Sequence, residues 1–255
     1  MIERLRSAAP ARRFTPGRIA GLDEPVRRYF THAISAGAAL PDGVRMTMRG
    51  QIKVGVWLPF TAVQTVDGHS FVWQARVGPG PLKPLRVTDR YADAVGRTEG
   101  RLFGRFALFA VEDYDTARSA AARAAIESVV FAPSSVLPDR GVTWRAEADH
   151  VIVARFDLAP EHPEIRVCID DHGAQRSVTA QRWGNAGETS FQYIPFGGEL
   201  HAERRFGDFV LPSHASVGWW FGTPRYEPFF KAVIEGVRPT YWHFTAKVAD
   251  RSSAS

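Results

Sequence analysis

The sequence predicts an α+β protein, mainly β, in which a large curved antiparallel sheet, a half-barrel or open barrel, carries about two helices over its concave face. Three observations predict this class. Residues 44–54 alternate strictly between apolar or glycine and polar positions, which is typical of a strand with one buried face. About ten to twelve runs of strand character occur in all, separated by turn residues. One alanine-rich run, 117–131, lacks glycine and proline and has the composition of a helix.

The first element is predicted to be a helix that begins near Asp23. Asp23 is a residue type that caps helices, Pro25 suits the first turn, and Val26 and Phe30 recur at helical spacing. The helix should end before Gly37.

The strands form two groups, one on each side of the long helix. Gly50, in the middle of the first strand, indicates a bend, and Asp67–Gly68 indicates a hairpin turn. Residues 229–237 fit a helix or a strand, and we predict a strand. A sheet of this size must curl or close. The other strands are predicted over 44–54, 60–66, 71–77, 85–91, 97–109 (broken by Gly100 and Gly104), 142–148, 151–158, 165–169, 176–183, 200–206, 209–211 and 215–221.

The long helix over 117–131 is expected to be capped by Asp115 or Thr116 and to end at Pro133. Its small apolar residues lie on one side, so we expect that side to cover the sheet.

The composition indicates a single globular domain. The chain has 255 residues, of which 45% are hydrophobic and 23% charged. We assign residues 23–247 to one β-rich domain, residues 1–22 to a loosely ordered basic tail, and residues 248–255 to a disordered tail. No apolar run is long enough to span a membrane. The single cysteine, Cys168, excludes an intramolecular disulfide and a cysteine-rich metal site.

The net charge of +5 is concentrated near the N-terminus, where residues 1–22 hold five arginines and one glutamate. Nucleic-acid recognition would need cations clustered on one face of the folded body, so we expect no nucleic-acid partner. The charged start lacks the apolar stretch of a secretory signal, and a cytoplasmic location is expected. The oligomeric state stays open.

Four residues are candidates for acid–base chemistry. Glu127 lies near the end of the long helix, where burial would raise the pKa of its carboxyl group; exposure to solvent is the alternative. Asp89 falls in the apolar phase of its strand. It is interpreted either as a catalytic acid or as the ion-pair partner of an arginine from a neighbouring strand. Glu199 and His201 are two positions apart in one predicted strand, so their side chains lie on the same face of the sheet. They could act as a proton relay, bind a metal together or form a solvated pair.

The concave face is also predicted to carry an apolar binding pocket, with plain core packing as the alternative. Arg182 is either an anion contact or part of a strand end and turn. No phosphate loop, zinc-protease helix or nucleophile elbow is present, so we expect neither a cofactor nor a metal. The residues expected to line the pocket are Met46, Met48, Trp73, Tyr91, Trp144 and Trp219.

Eight stretches of the sequence form a distinctive pattern when taken together: 24–30 (EPVRRYF), 45–62 (RMTMRGQIKVGVWLPFTA), 71–78 (FVWQARVG), 89–91 (DRY), 126–138 (IESVVFAPSSVLP), 182–185 (RWGN), 196–199 (FGGE) and 206–234. With them the chain resembles a bacterial family of unknown function that occurs mostly in actinobacteria. The resemblance implies no reaction. By analogy, the strand–helix–strand layout is similar to lipoprotein-carrier-like half-barrels, which hold lipid in the concave sheet under helices.

Three functions are therefore considered. The first is binding of a hydrophobic or amphipathic small molecule (a lipid, isoprenoid or polyketide-like compound) in the concavity of the sheet. The alternative is a cofactor-independent hydrolase, isomerase or cyclase that acts on such a ligand through the four candidate residues. The third is an interaction protein that uses Trp219, Trp220 and the basic tail as its contact surface.

Overall fold

One antiparallel sheet of thirteen strands dominates the computed structural model, which describes residues 12–81 and 83–241. Two α-helices, α1 Glu24–Ala33 and α2 Tyr114–Phe131, accompany it. The strands are β1 Gly43–Val54, β2 Val56–Val66, β3 Phe71–Val77, β4 Leu85–Ala92, β5 Val95–Leu102, β6 Phe106–Val111, β7 Thr143–Ala148, β8 Val151–Arg155, β9 Glu164–Ile169, β10 Gln175–Gly184, β11 Gln192–Phe206, β12 Phe209–Trp219 and β13 Glu227–Thr240.

The spatial order of the strands is β6-β5-β4-β3-β2-β1-β13-β12-β11-β10-β9-β8-β7. Consecutive strands pair as antiparallel neighbours, and β1 pairs with β13 in the middle of the sheet. The helix α2 separates β6 from β7, which form the two free edges. The sheet is curved and unclosed, so the predicted mainly β class with two helices is confirmed.

The first strand shows how the sequence produces the two faces of the sheet. Val44, Met46 and Met48 are buried, whereas the polar residues between them are exposed. The glycine at position 50 is required because a Cβ there would lie 1.9 Å from the carbonyl oxygen of Lys231 on β13. The predicted irregularity lies close by, as a shift in the β1–β13 register between Thr47 and Met48.

Several predicted strand boundaries differ from the structure. The run 97–109 is two strands, because a tight turn at Phe103–Gly104 reverses the chain. The runs 209–211 and 215–221 belong to the single strand β12, and β11 begins earlier than the predicted 200–206. The ambiguous run 229–237 lies within β13, as predicted, because pairing with β1 and β12 fixes it as a strand.

The helix α2 lies on the concave face, where it packs mainly against β10 and β5. Its N-cap is Asp113 rather than the predicted Asp115 or Thr116: the backbone N–H of Thr116 donates to Asp113 Oδ1 at 2.7 Å. A glycine at position 96 of β5 permits the close approach, since a Cβ there would lie 2.6 Å from the Thr116 carbonyl oxygen. The small buried side chains of α2 thus fill part of the concavity.

The segment 12–22 differs from the loosely ordered tail that the sequence predicts. Phe14 and Ile19 are buried in the core, and Arg13 forms a β-bridge with Ala39. The other parts of the predicted tails, residues 1–11 and 248–255, lie outside the described residues. Across 12–81 and 83–241, no helix is long and apolar enough to cross a membrane.

Candidate functional site

The six predicted pocket residues fall into two groups. Met46, Met48 and Tyr91 are buried in the core, and the Tyr91 hydroxyl donates to the carbonyl oxygen of Ala159 at 2.5 Å. Trp144 packs under α1 and donates its Nε1–H to a backbone carbonyl. These four belong to the packed part of the interior.

The other two border charged side chains on the concave face: Trp73 is also buried in the core, and Trp219 is partly buried. The Trp73 ring centroid lies 5.6 Å from Arg123 Cζ, and the Trp219 centroid lies 5.1 Å from Arg182 Cζ. Whether any of the six predicted residues binds a ligand stays a prediction.

Part of the concave face is not covered by α2. On β1 to β6, β12 and β13, apolar side chains in the same phase as the buried core residues are half-buried or exposed. The pairing register assigns them to the concave side; Phe109, for example, stands opposite Gly100 and covers it. We call this set the uncovered concave region. It consists of Ile52, Leu58, Leu85, Val87, Phe106, Phe109, Val111, Val217 and Phe230.

A buried charged cluster joins α2 to the first half of the sheet. Arg123 on α2 donates from Nε to Glu127 Oε1 at 2.8 Å and from Nη1 to Asp89 on β4. Glu127 also accepts a hydrogen bond from Gln64, and Asp89 accepts one from the Thr98 hydroxyl at 2.8 Å. The structure therefore brings together two of the four acid–base candidates. The arginine that partners Asp89 comes from the helix, not from a neighbouring strand.

Burial determines the electrostatics of this cluster. Desolvation raises the pKa of the Glu127 carboxyl group, although the Arg123 guanidinium opposes the shift. Desolvation lowers the pKa of Arg123, but Glu127 and Asp89 outweigh it and the net direction is upward. Arg123 also lies 4.4 Å above the ring of Phe71. The carboxyl groups of Asp89 and Glu127 thus both form ion pairs with the single guanidinium of Arg123.

The raised pKa of Glu127 predicts a pH-dependent stability. The folded state holds the proton more tightly than the unfolded chain, so the contribution of Glu127 is full below its ordinary pKa of 4.5 and is lost as the pH rises through the folded value. We expect Glu127→Gln to remove this loss. Urea unfolding from pH 4 upward should show the stability of the variant relative to the wild type increasing with pH; a decreasing difference would contradict the assignment.

Arg182 on β10 is the second cation on the concave face. Its Nε donates to the carbonyl oxygen of Ser119 at 3.0 Å and to the Ser119 hydroxyl at 3.1 Å. Its guanidinium lies 4.4 Å from the ring of Phe196 and 5.1 Å from that of Trp219. Burial, and then the charge of Arg123, lower the pKa of Arg182 to about 10, so it stays protonated at neutral pH.

The terminal nitrogens of Arg182 make no hydrogen bond and no ion pair with any described residue. Asp89 and Glu127 form no ion pair with Arg182, although their charges partly oppose the lowering of its pKa. A desolvated cation without a contacting carboxylate favours an anion or a carbonyl oxygen, because either would replace the lost hydration. The sequence offered an anion contact at Arg182 as one of two interpretations.

The remaining two acid–base candidates lie elsewhere. Glu199 and His201 are 56% and 54% exposed on the outer face of β11, with Glu199 Oε2 3.5 Å from His201 Nε2. Within the described ranges, no three histidine, cysteine, aspartate or glutamate residues are grouped to hold a metal. The outer face near His201 and His214 carries an open cavity of about 760 Å³, whose lining mixes apolar residues such as Pro59 and Val233 with the cation of Lys231.

A second cluster near the start of α2 was not predicted. Arg118 lies 3.5 Å above the Trp183 ring, forms an ion pair with Glu161 and donates to the Tyr193 hydroxyl at 2.7 Å. Tyr193 in turn donates to Glu161 Oε2 at 2.7 Å. These groups satisfy one another, so the cluster fastens α2 to β11 and to the loop before β9, at the side of a 370 Å³ cavity.

The fold defines a class of protein: an open antiparallel half-barrel with a helix inside. The chain belongs to the family of unknown function DUF6544, whose sequence pattern matches residues 12–232. The family resemblance is thereby confirmed, and the occurrence in actinobacteria stays a prediction. No curated protein matches the sequence significantly.

Solved structures with a similar fold include three bacterial proteins. One is a LolA superfamily protein from Nitrosomonas europaea, with 6% identity over 88% of this chain and 94% of that chain and a TM-score of 0.44. Another, from Vibrio parahaemolyticus, is provisionally described as an outer membrane lipoprotein-sorting protein domain. It has 8% identity over 77% of this chain and 85% of that chain, with a TM-score of 0.42. The third is a DUF1329 family protein from Desulfovibrio piger, with 7% identity over 78% of this chain and 86% of that chain and a TM-score of 0.39. Identities this low carry no information about function.

Proposed function

We propose that this protein binds a hydrophobic or amphipathic small molecule, of the lipid, isoprenoid or polyketide-like class, on the uncovered concave region. One observation carries the proposal: among the described residues, Phe106, Phe109 and Val111 of this region are exposed, and its other apolar side chains are only partly covered by the core. Covering a phenylalanine or leucine side chain contributes about 1.5–3 kcal/mol. Contiguous exposed apolar surface in a concave site is typical of ligand binding.

Arg182 supports an amphipathic ligand with an anionic or carbonyl head. Its free terminal nitrogens lie beside Trp219 and Phe196, at the border of the apolar surface. A head group there would receive a charge-assisted hydrogen bond in a partly dehydrated setting. The apolar part of the ligand would then extend along β12, β13 and the first strands.

The enzyme alternative gains no support from the arrangement of its candidates. Asp89 and Glu127 both pair with Arg123, and Glu199 and His201 face solvent on the outer side. A general base needs a free lone pair within reach of the substrate. The cytoplasmic location stays a prediction, consistent with the free thiol of the single cysteine.

Phe109→Ser tests the proposal. Phe109 is 43% exposed on the concave side, and Phe191, which lies outside the uncovered concave region, is 44% exposed. The delipidated protein should bind a dansyl-labelled undecanoic acid, and Phe109→Ser should weaken binding about tenfold, the equivalent of one partly covered aromatic ring. Phe191→Ser should leave affinity unchanged. Equal losses in both variants, or no binding by the wild type, would contradict the proposal.

A further inference from the structure

A row of arginines crosses the outer face of the sheet near one of its ends. The register places Arg76 on β3 directly opposite Arg86 on β4, and Arg86 directly opposite Arg101 on β5. Like charges at directly opposed positions destabilise a sheet. Among the described residues, the one carboxylate that forms an ion pair with this row is Glu99, 3.9 Å from Arg101 Nε, and it also pairs with Arg97.

The positive charge of the arginine row is therefore only partly balanced by carboxylates of the described residues. In the described part of the chain, Arg76 and Arg86 have no ion pair, and together with Arg45 and Arg101 they line a surface cavity of about 360 Å³. The sequence suggested that the folded body has little concentrated positive charge. The fold concentrates it nevertheless, because arginines distant in sequence share a phase and a register.

Exposed apolar residues occupy the same end of the sheet. Phe103, at the turn between β5 and β6, is 58% exposed and has a φ of +52°, a left-handed conformation that a bulky residue rarely adopts. Arg86 lies against this turn, since a Cβ on Gly104 would be 2.9 Å from Arg86 Cζ. Val54 and Val56 are exposed at the β1–β2 turn, which lies at the same end of the sheet, and their side chains are in the concave phase.

We propose that this end of the sheet docks on an anionic lipid surface. Phe103, Val54 and Val56 enter the interface between head groups and acyl chains, and the arginine row binds the negatively charged head groups. Peripheral membrane binding combines these two contributions. A nucleic acid would match the arginines but not the apolar residues beside them, so the observations favour the lipid surface.

The docking proposal goes beyond ligand binding and is independent of it. It also has a structural consequence, because Leu102 and Phe106 of the concave side flank the same turn. The opening of the concave face would therefore lie close to the bilayer, where a hydrophobic ligand is available.

Vesicle sedimentation tests the proposal. The full chain should bind vesicles of phosphatidylcholine with phosphatidylglycerol and should not bind phosphatidylcholine alone. Changing all three arginines of the row to glutamine should lower the partition coefficient about a hundredfold, the equivalent of three cations near the surface. The control removes the same charge elsewhere, with Arg145, Arg155 and Arg176 changed to glutamine, and should keep binding within about twofold of the wild type.

Phe103→Asn separates docking from folding. Asparagine tolerates a positive φ, so the variant should melt at the same or a higher temperature and yet bind anionic vesicles about tenfold more weakly. Absence of vesicle binding would overturn the proposal, and so would equal losses in the arginine row and its control. Loss in the row without loss in Phe103→Asn, accompanied by DNA binding, would indicate a nucleic-acid site instead. The dansyl probe binds without vesicles, so its result tests the ligand proposal separately.

Discussion

Arg123→Met should lower the free energy of unfolding by about 3–5 kcal/mol at neutral pH. The substitution keeps an unbranched apolar stem but leaves Asp89 and Glu127 buried without their shared cation. Removal of one partner from a buried ion pair costs this much because the remaining charges cannot be rehydrated. Two carboxyl groups depend on the same guanidinium, so we expect the upper part of the range. Urea unfolding followed by tryptophan fluorescence measures the loss.

Acidification should reduce this loss, because protonation neutralises the two unpaired carboxyl groups in the variant. Arg97→Met is the matched control: Arg97 pairs with Glu99 and Glu112 on the surface, where an ion pair contributes about 0–1 kcal/mol. A loss of less than about 1 kcal/mol in Arg123→Met, or a loss that increases at acid pH, would show that the cluster is solvated.

Arg182→Met should weaken binding of a carboxylate-headed probe about ten- to a hundredfold. A hydrogen bond to a charged group contributes about 1.5–3 kcal/mol, and each 1.4 kcal/mol is tenfold in affinity. The folded protein should not lose stability, because the Arg182 side chain donates hydrogen bonds to Ser119 alone among the described residues and its burial opposes the charge.

The head-group specificity separates this effect from a change in shape. A probe with the same chain and a neutral alcohol head should bind the wild type and Arg182→Met with similar affinity. Arg76→Met, an exposed arginine on the outer face, should leave both probes unaffected. Equal weakening of both probes in Arg182→Met would mean that Arg182 only supports the wall formed by Phe196 and Trp219.

The fold was predictable where the physical signal is local. The alternation over 44–54 specifies β1 because a period of two matches one buried face. The glycine at position 104 indicated a break in the run 97–109 but not a reversal of the chain, because its partner in the turn, Phe103, is a residue type that rarely adopts the left-handed conformation. The ambiguous run 229–237 became a strand through its pairing with β1 and β12, a tertiary effect that no window of sequence contains.

The candidate site was predictable one residue at a time but not as an arrangement. Asp89 stood out because a carboxylate in the apolar phase of a strand needs a partner, and Glu127 because burial near the end of the long helix would raise the pKa of its carboxyl group. Arg123 did not stand out, since an arginine on an amphipathic helix is ordinarily solvated, and only the approach of α2 to β4 brings the three together. The uncovered concave region was also hidden, because sequence periodicity cannot tell how much of the sheet one helix covers.

Photolabelling with a diazirine-bearing fatty acid tests the central claim most directly. Peptide mapping of the labelled protein should place the label on β4 to β6 or on β12 and β13, at residues such as Leu85, Phe109 and Phe230. The alternative acceptor is the open cavity of about 760 Å³ on the outer face, beside His201 and His214. Label confined to the concave residues, and displaced by unlabelled fatty acid, is the predicted result; label on the outer cavity would contradict the account.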